Sequence, residues 1–170
     1  MSETTNVNTK DSIAYSGTVK VTIVKNNKPI KKTTKKNAGT YALFKTLTLC
    51  LLGDDVSTRI PQFIGAWQGV VPTRTRAKIG TKYITDNTES TSGTATSSIK
   101  FVANIPYSYL TLDGASNPIT ALGLYNSLTA DDSTSLLAKV DLGQDEQITL
   151  DNSGYSALIE WTLTITNQTN

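Results

Sequence analysis

The last fifteen residues carry the clearest pattern in the chain. Ala157, Ile159, Trp161, Leu163 and Ile165 alternate with Glu160, Thr162, Thr164 and Thr166. A period of two places successive side chains on opposite faces of a strand, so this segment predicts a strand with one face packed and one face wet. Ile13 to Lys25 shows the same alternation, with Val19, Val21 and Ile23 on one side and Lys20, Thr22 and Val24 on the other. Asn26-Asn27-Lys28-Pro29 follows. Asn tolerates φ > 0 and Pro fixes its own φ, so these residues predict a turn, and Ile30 to Lys36 returns as the second strand of a hairpin.

Further strands are predicted over Ile60 to Val71 (a strand pair or one bulged strand, bent at Gly65 and Gly69), Ile99 to Ala103, Ile119 to Tyr125, Leu136 to Leu142 and Gln147 to Leu150. Arg74 to Thr85 reads as a second basic strand or an exposed loop, and the Thr/Ser/Gly text of Asp86 to Ser97 as a flexible loop. Helical spacing occurs once: Leu43, Phe44, Leu47, Cys50 and Leu51 share a face, Thr40 is a plausible N-cap and Gly53 a C′ stop. Eight to ten short strands, one helix over about residues 41–52 and many Gly/Asn/Asp turns predict an all-β fold. Its form is a two-sheet antiparallel β-sandwich, jelly-roll or Ig-like, over residues 13–170. Residues 1–12 are polar and aperiodic and read as an extended N-terminal arm that needs a neighbouring subunit to hold it.

Composition adds to this picture mainly by what it lacks. The chain of 170 residues has no histidine, one cysteine and, by count, about one third Thr, Ser and Asn. Histidine is the usual acid–base group near neutral pH and the commonest metal ligand, so its absence weighs against catalysis and against a metal site. No Gly-x-Ser-x-Gly turn and no phosphate-binding glycine loop occurs. The expectation is a protein that is not an enzyme and takes no cofactor and no metal. Cys50, set among Leu47, Leu49, Leu51 and Leu52, reads as a small buried hydrophobe. The acidic pairs Asp54-Asp55, Asp131-Asp132 and Asp145-Glu146 lack the alternating spacing of a calcium loop and read as solvated turns. No secretory leader is read at the start, and no stretch approaches the roughly 20 apolar residues that cross a bilayer.

Charge is unevenly spread. Residues 12–53 hold eight lysines and no acid, for +8; residues 101–170 hold Lys139 against eight acids, for −7. The halves either neutralise each other within the fold or give a polar particle that docks on others. The candidate partner-binding residues are Lys25, Lys28, Lys31, Lys32, Lys35 and Lys36 of the hairpin, with Arg74 and Arg76. Clustered lysines attract phosphate, but the hairpin has no interleaved aromatics or arginines to read bases, which argues for an acidic protein surface over nucleic acid. A lysine ridge also blunts an edge strand against aggregation. Trp161 falls on the apolar side of the last strand and reads as core, whereas Trp67 sits between Gly65 and Gly69. An exposed Trp67, Tyr83 or Tyr107 would instead make a carbohydrate- or cell-surface-binding module.

Three stretches in order resemble small β-sandwich structural proteins in the virions of tailed bacteriophages. They are the lysine-rich hairpin followed by Asn37-x-Gly39-Thr40-x-x-Leu43-Phe44-x-x-Leu47 and a leucine-rich segment to Gly53; Ile119-Thr120-Ala121-Leu122-Gly123-Leu124-Tyr125-Asn126 with Leu136-Leu137-Ala138-Lys139; and Ile159-Glu160-Trp161-Thr162-Leu163-Thr164-Ile165-Thr166-Asn167. The resemblance implies a non-catalytic virion component in many copies, assembled in the host cytoplasm. Such a protein decorates or cements the capsid through its arm and basic hairpin, with a neck, tail or head-fibre attachment role as the alternative. Its implied partners are other virion proteins and copies of itself.

Overall fold

Alternation on this scale builds long strands. The structure, a computed structural model, describes residues 11–39, 59–89, 95–128 and 135–169. The helix expected over 41–52, Cys50, the arm through residue 10 and the pairs Asp54-Asp55 and Asp131-Asp132 lie outside these residues. β1 (Asp11–Lys25) and β10 (Tyr155–Thr169) pair antiparallel along their whole length, Asp11 opposite Thr169 and Lys25 opposite Tyr155. β2 (Lys28–Gly39) flanks β1, while β7 (Ala95–Pro106) and then β6 (Thr81–Glu89) flank β10. This is the front sheet. The back sheet is built from β8 (Ala121–Tyr125), paired with β3 (Phe63–Gln68) on one side and β9 (Leu136–Asp141) on the other. The short β4 (Val71–Pro72) and β5 (Ala77–Lys78) both pair with β3.

The two sheets face each other across one core. Val19, Val21 and Ile23 lie opposite Trp161, Ile159 and Ala157, which lie opposite Phe101, Ala103 and Ile105. These residues meet Ile64, Ala66, Leu122, Leu124, Ala138 and Val140 of the back sheet, and all are buried. The fold is thus the all-β two-sheet antiparallel sandwich that the alternation predicts, in which the apolar face of each sheet is covered by the other. Both lateral margins are stitched by segments that change sheets. β2 pairs β1 as far as Asn37 and then pairs β9 through Ala38 and Gly39. On the far side the Ile79 N–H donates to Gln62 O of the back sheet (2.8 Å), and the next residue, Gly80, donates to Val102 O of the front sheet (3.0 Å).

Three expectations need correction. Asp86 to Ser97 is not a loop throughout: β6 runs to Glu89 and β7 starts at Ala95. The polar text shows no alternation there, yet β10 pairs with its end: Thr96 Oγ1 lies 3.4 Å from Thr166 Oγ1 and, just beyond it, Ser98 Oγ lies 2.8 Å from Thr164 Oγ1. Gln147 to Leu150 is not a strand and makes only an isolated bridge, Ile148 with Ile119. Its Ile148 and Leu150 are buried as an end plug of the core. β1 begins at Asp11, two residues before the predicted start.

Candidate interaction surface

The β1–β2 hairpin turns on Asn26 and Asn27, both with positive φ (48° and 64°). That is the backbone of a two-residue turn whose twist matches the flanking strands. The register then shifts: Ile23 faces Lys31 but Val24 faces Pro29. Ile30 is therefore the unmatched residue of a bulge, and it is 54% exposed. The bulge decides which lysine goes where.

Lys31 and Lys35 fall opposite Ile23 and Val19, on the core side of the sheet at its margin. Both reach across to the 3₁₀ turn Gln144–Glu146. Lys31 Nζ donates to Asp145 O (3.3 Å) and Lys35 pairs with Glu146 Oε2 (2.6 Å). The lysine's hydrogen bond, then that of the Gly143 N–H, holds the Glu146 carboxyl below the usual carboxylate range. Lys32 and Lys36 fall opposite Thr22 and Thr18, on the solvent face. Between them on that face, β1 and its neighbours place a compact network: Lys20 and Lys100 flank Glu160 at 2.6 and 3.4 Å. Hydrogen bonding from Lys20 is the chief cause of a lowered Glu160 pKa. Lys25 lies 5.1 Å over the Tyr155 ring, and its hydrogen bond with Tyr155 raises its pKa. Lys28, Lys32 and Lys36 are exposed and have no ion-pair partner among the described residues.

The arginines do not extend this strip. Arg74 is exposed beside Tyr109, whose carbonyl accepts the Arg74 backbone N–H (2.9 Å). Arg76 places its Cζ over the Tyr125 ring, 3.7 Å from the centroid, and donates to Ser127 O (2.6 Å) and Ser135 Oγ (3.2 Å). It is a structural residue of the back sheet's outward face. On that face Trp67 sits 5.8 Å from Tyr125, and Lys139 Nζ lies 5.4 Å from the Trp67 centroid. Gly65 and Gly123 make room for the rings. A Cβ on Gly123 would stand 2.8 Å from both Trp67 and Tyr125, and one on Gly65 2.8 Å from Tyr125. The sequence reading did not identify this cluster, although its signal is present: Phe63-Gly65-Trp67 and Ala121-Gly123-Tyr125 are the same-face positions of two paired strands. Trp67 is half-buried here, and Trp161 is fully buried as expected. Tyr107 is half-buried, with its hydroxyl 3.5 Å from Asp113 Oδ1.

An open notch of about 390 Å³ lies beside the hairpin turn, lined among others by Asn26, Asn27, Ser153, Tyr155 and Ser156. Its lining carries amides and hydroxyls but no carboxylate and no cation. Comparison of the chain with protein-family models, with curated proteins and with solved structures returned no match.

Proposed function

We propose that this chain is a non-enzymatic structural protein that docks on neighbouring subunits through the basic strand β2. The sequence resemblance supports placing it in the virion of a tailed bacteriophage, as a protein that decorates or cements the capsid or connects neck and tail. One observation carries the docking reading. Internal acids pair with Lys20, Lys35 and Lys100, and the Asp145 carbonyl takes Lys31, while the exposed Lys28, Lys32 and Lys36 have no ion-pair partner among the described residues. Uncompensated charge of one sign on a rigid strand steers and orients an acidic partner. The sandwich body suits this use, because a long paired β1–β10 frame holds the strip in a fixed shape.

The test is incorporation into particles. Purified virions from cells carrying the gene should contain the chain in stoichiometric copy number by mass spectrometry. The K28E/K32E/K36E variant should fold and be lost from them. Virions that lack the wild-type chain would refute the virion placement. Unchanged incorporation of the triple variant would refute docking through β2.

A further inference from the structure

The two edges of β2 are occupied very differently. One edge pairs with β1 from Lys28 to Asn37. The other takes β9 only at Ala38 and Gly39, so among the described residues no strand covers it from Lys28 to Lys36. Alternate residues of an edge strand point both their N–H and C=O groups outward, where they form a template for a further strand. We propose that this edge takes an acidic, extended segment of a partner as an added β-strand. The inference rests on the docking reading above and names the form and chemistry of the partner.

The side chains set the partner's pattern. Past the bulge at Ile30, the solvent face of β2 reads Lys32, Thr34, Lys36, the residues opposite Thr22, Lys20 and Thr18. Residues directly opposite on neighbouring strands bring their Cβ atoms to about 4.5–5.5 Å. An added strand with two carboxylates four residues apart therefore sets one against Lys32 and one against Lys36, with its middle residue against Thr34. Lys31 and Lys35 bend away to the Gln144–Glu146 turn and leave that face free. Exposed Ile30 offers an apolar contact at the end of the strip.

The same lysines decide what is refused. A second copy of β2 would bring lysines against lysines, and like charges directly opposite are destabilising. Neutral strands would gain the backbone bonds but set no carboxylate against Lys32 and Lys36. Discrimination of this kind comes as much from the repelled alternatives as from the accepted one. The edge is thus closed to its own kind and open to an acid-x-x-x-acid strand.

The test uses a fluorescein-labelled TEVTVET peptide and fluorescence anisotropy with the full chain. Two N-methylated twins accompany it, one methylated on the odd and one on the even amides, so that each blocks one strand edge and keeps both carboxylates. The parent should bind; one twin should lose at least tenfold in affinity and the other should keep it. K32E/K36E, with unchanged circular dichroism, should lose at least tenfold, whereas K78E, at an exposed lysine outside β2, should not. Equal binding of the parent and both twins would show charge attraction without strand pairing. That result would overturn the inference while leaving docking through β2 intact. Absence of binding by all three peptides would overturn it as well.

Discussion

Gln68 offers a sharp test of how the sandwich holds its long connection after β7. It ends β3 and is 3% exposed, yet each of its side-chain groups is used. Nε2 donates to Leu112 O (3.0 Å) and Asn117 O (2.7 Å), and Oε1 accepts from the Thr111 N–H (3.1 Å) and the Leu112 N–H (2.9 Å). One amide thus ties down a turn more than 40 residues away. Gln68→Leu keeps most of the volume and removes all four bonds. A net hydrogen bond contributes about 1 kcal/mol, and a buried group left without a partner costs about 1–3 kcal/mol. Thr111 and Leu112 are exposed, so water recovers part of the loss. The expected destabilisation is therefore ~2–4 kcal/mol, below the sum of four full penalties. Urea unfolding followed by tryptophan fluorescence should show a lower midpoint at an unchanged m-value. Hydrogen exchange at the amides of Thr111 and Leu112 should accelerate. Gln68→Glu, which loses both donors and sets a carboxylate against two carbonyls, should be at least as harmful. A loss under ~0.5 kcal/mol, the range of an ordinary surface change, would refute the claim that this amide pins the turn.

Three further outcomes follow from particular contacts. Gly114→Ala should destabilise by at least ~2 kcal/mol in the same unfolding assay, because its Cβ would stand 2.1 Å from Leu150 O and 2.6 Å from Leu110 Cδ1, and backbone does not give way as a side chain does. Glu160 has its folded pKa below the ordinary 4.5, chiefly through Lys20. Its contribution is complete above that value and disappears as the pH falls through the folded pKa. Glu160→Gln should flatten the fall of the urea midpoint as the pH drops below about 4.5, and a pH profile identical to wild type would contradict the network. At Asn27, whose φ is +64°, a Val substitution should cost ~1–2 kcal/mol and Gly should be neutral or mildly stabilising; equal midpoints for both would contradict the left-handed turn.

Much of the architecture was legible because period-two patterning is a local property. The alternation from Ala157 to Ile165 and from Val19 to Ile23 identified two central strands and their buried faces, and Asn26-Asn27 marked the turn between β1 and β2. Patterning failed where neighbours supply what the segment lacks. Thr96 and Ser98 are strand residues because Thr166 and Thr164 stand across from them, a fact written in another part of the chain. The candidate surface was legible only in outline. The lysine run was visible, but its division was not. A single bulged residue, Ile30, together with the distant turn at Asp145 and Glu146, directs Lys31 and Lys35 toward that turn and leaves Lys32 and Lys36 on the opposite face. Arg76 looked like a member of the same basic set until Tyr125, from a strand paired to β3, provided the ring it lies on.

By itself, then, the amino-acid order determined that this chain builds strands, where several of them turn, and which of their faces are apolar. Each of those properties needs only residues two to four positions apart. Tertiary structure decided the register, the residues that cross between sheets, the ion pairs and the strand edge that no other described strand covers. Those are set by partners more than a hundred residues away, as with Lys35 and Glu146, and no local pattern encodes which distant group will arrive.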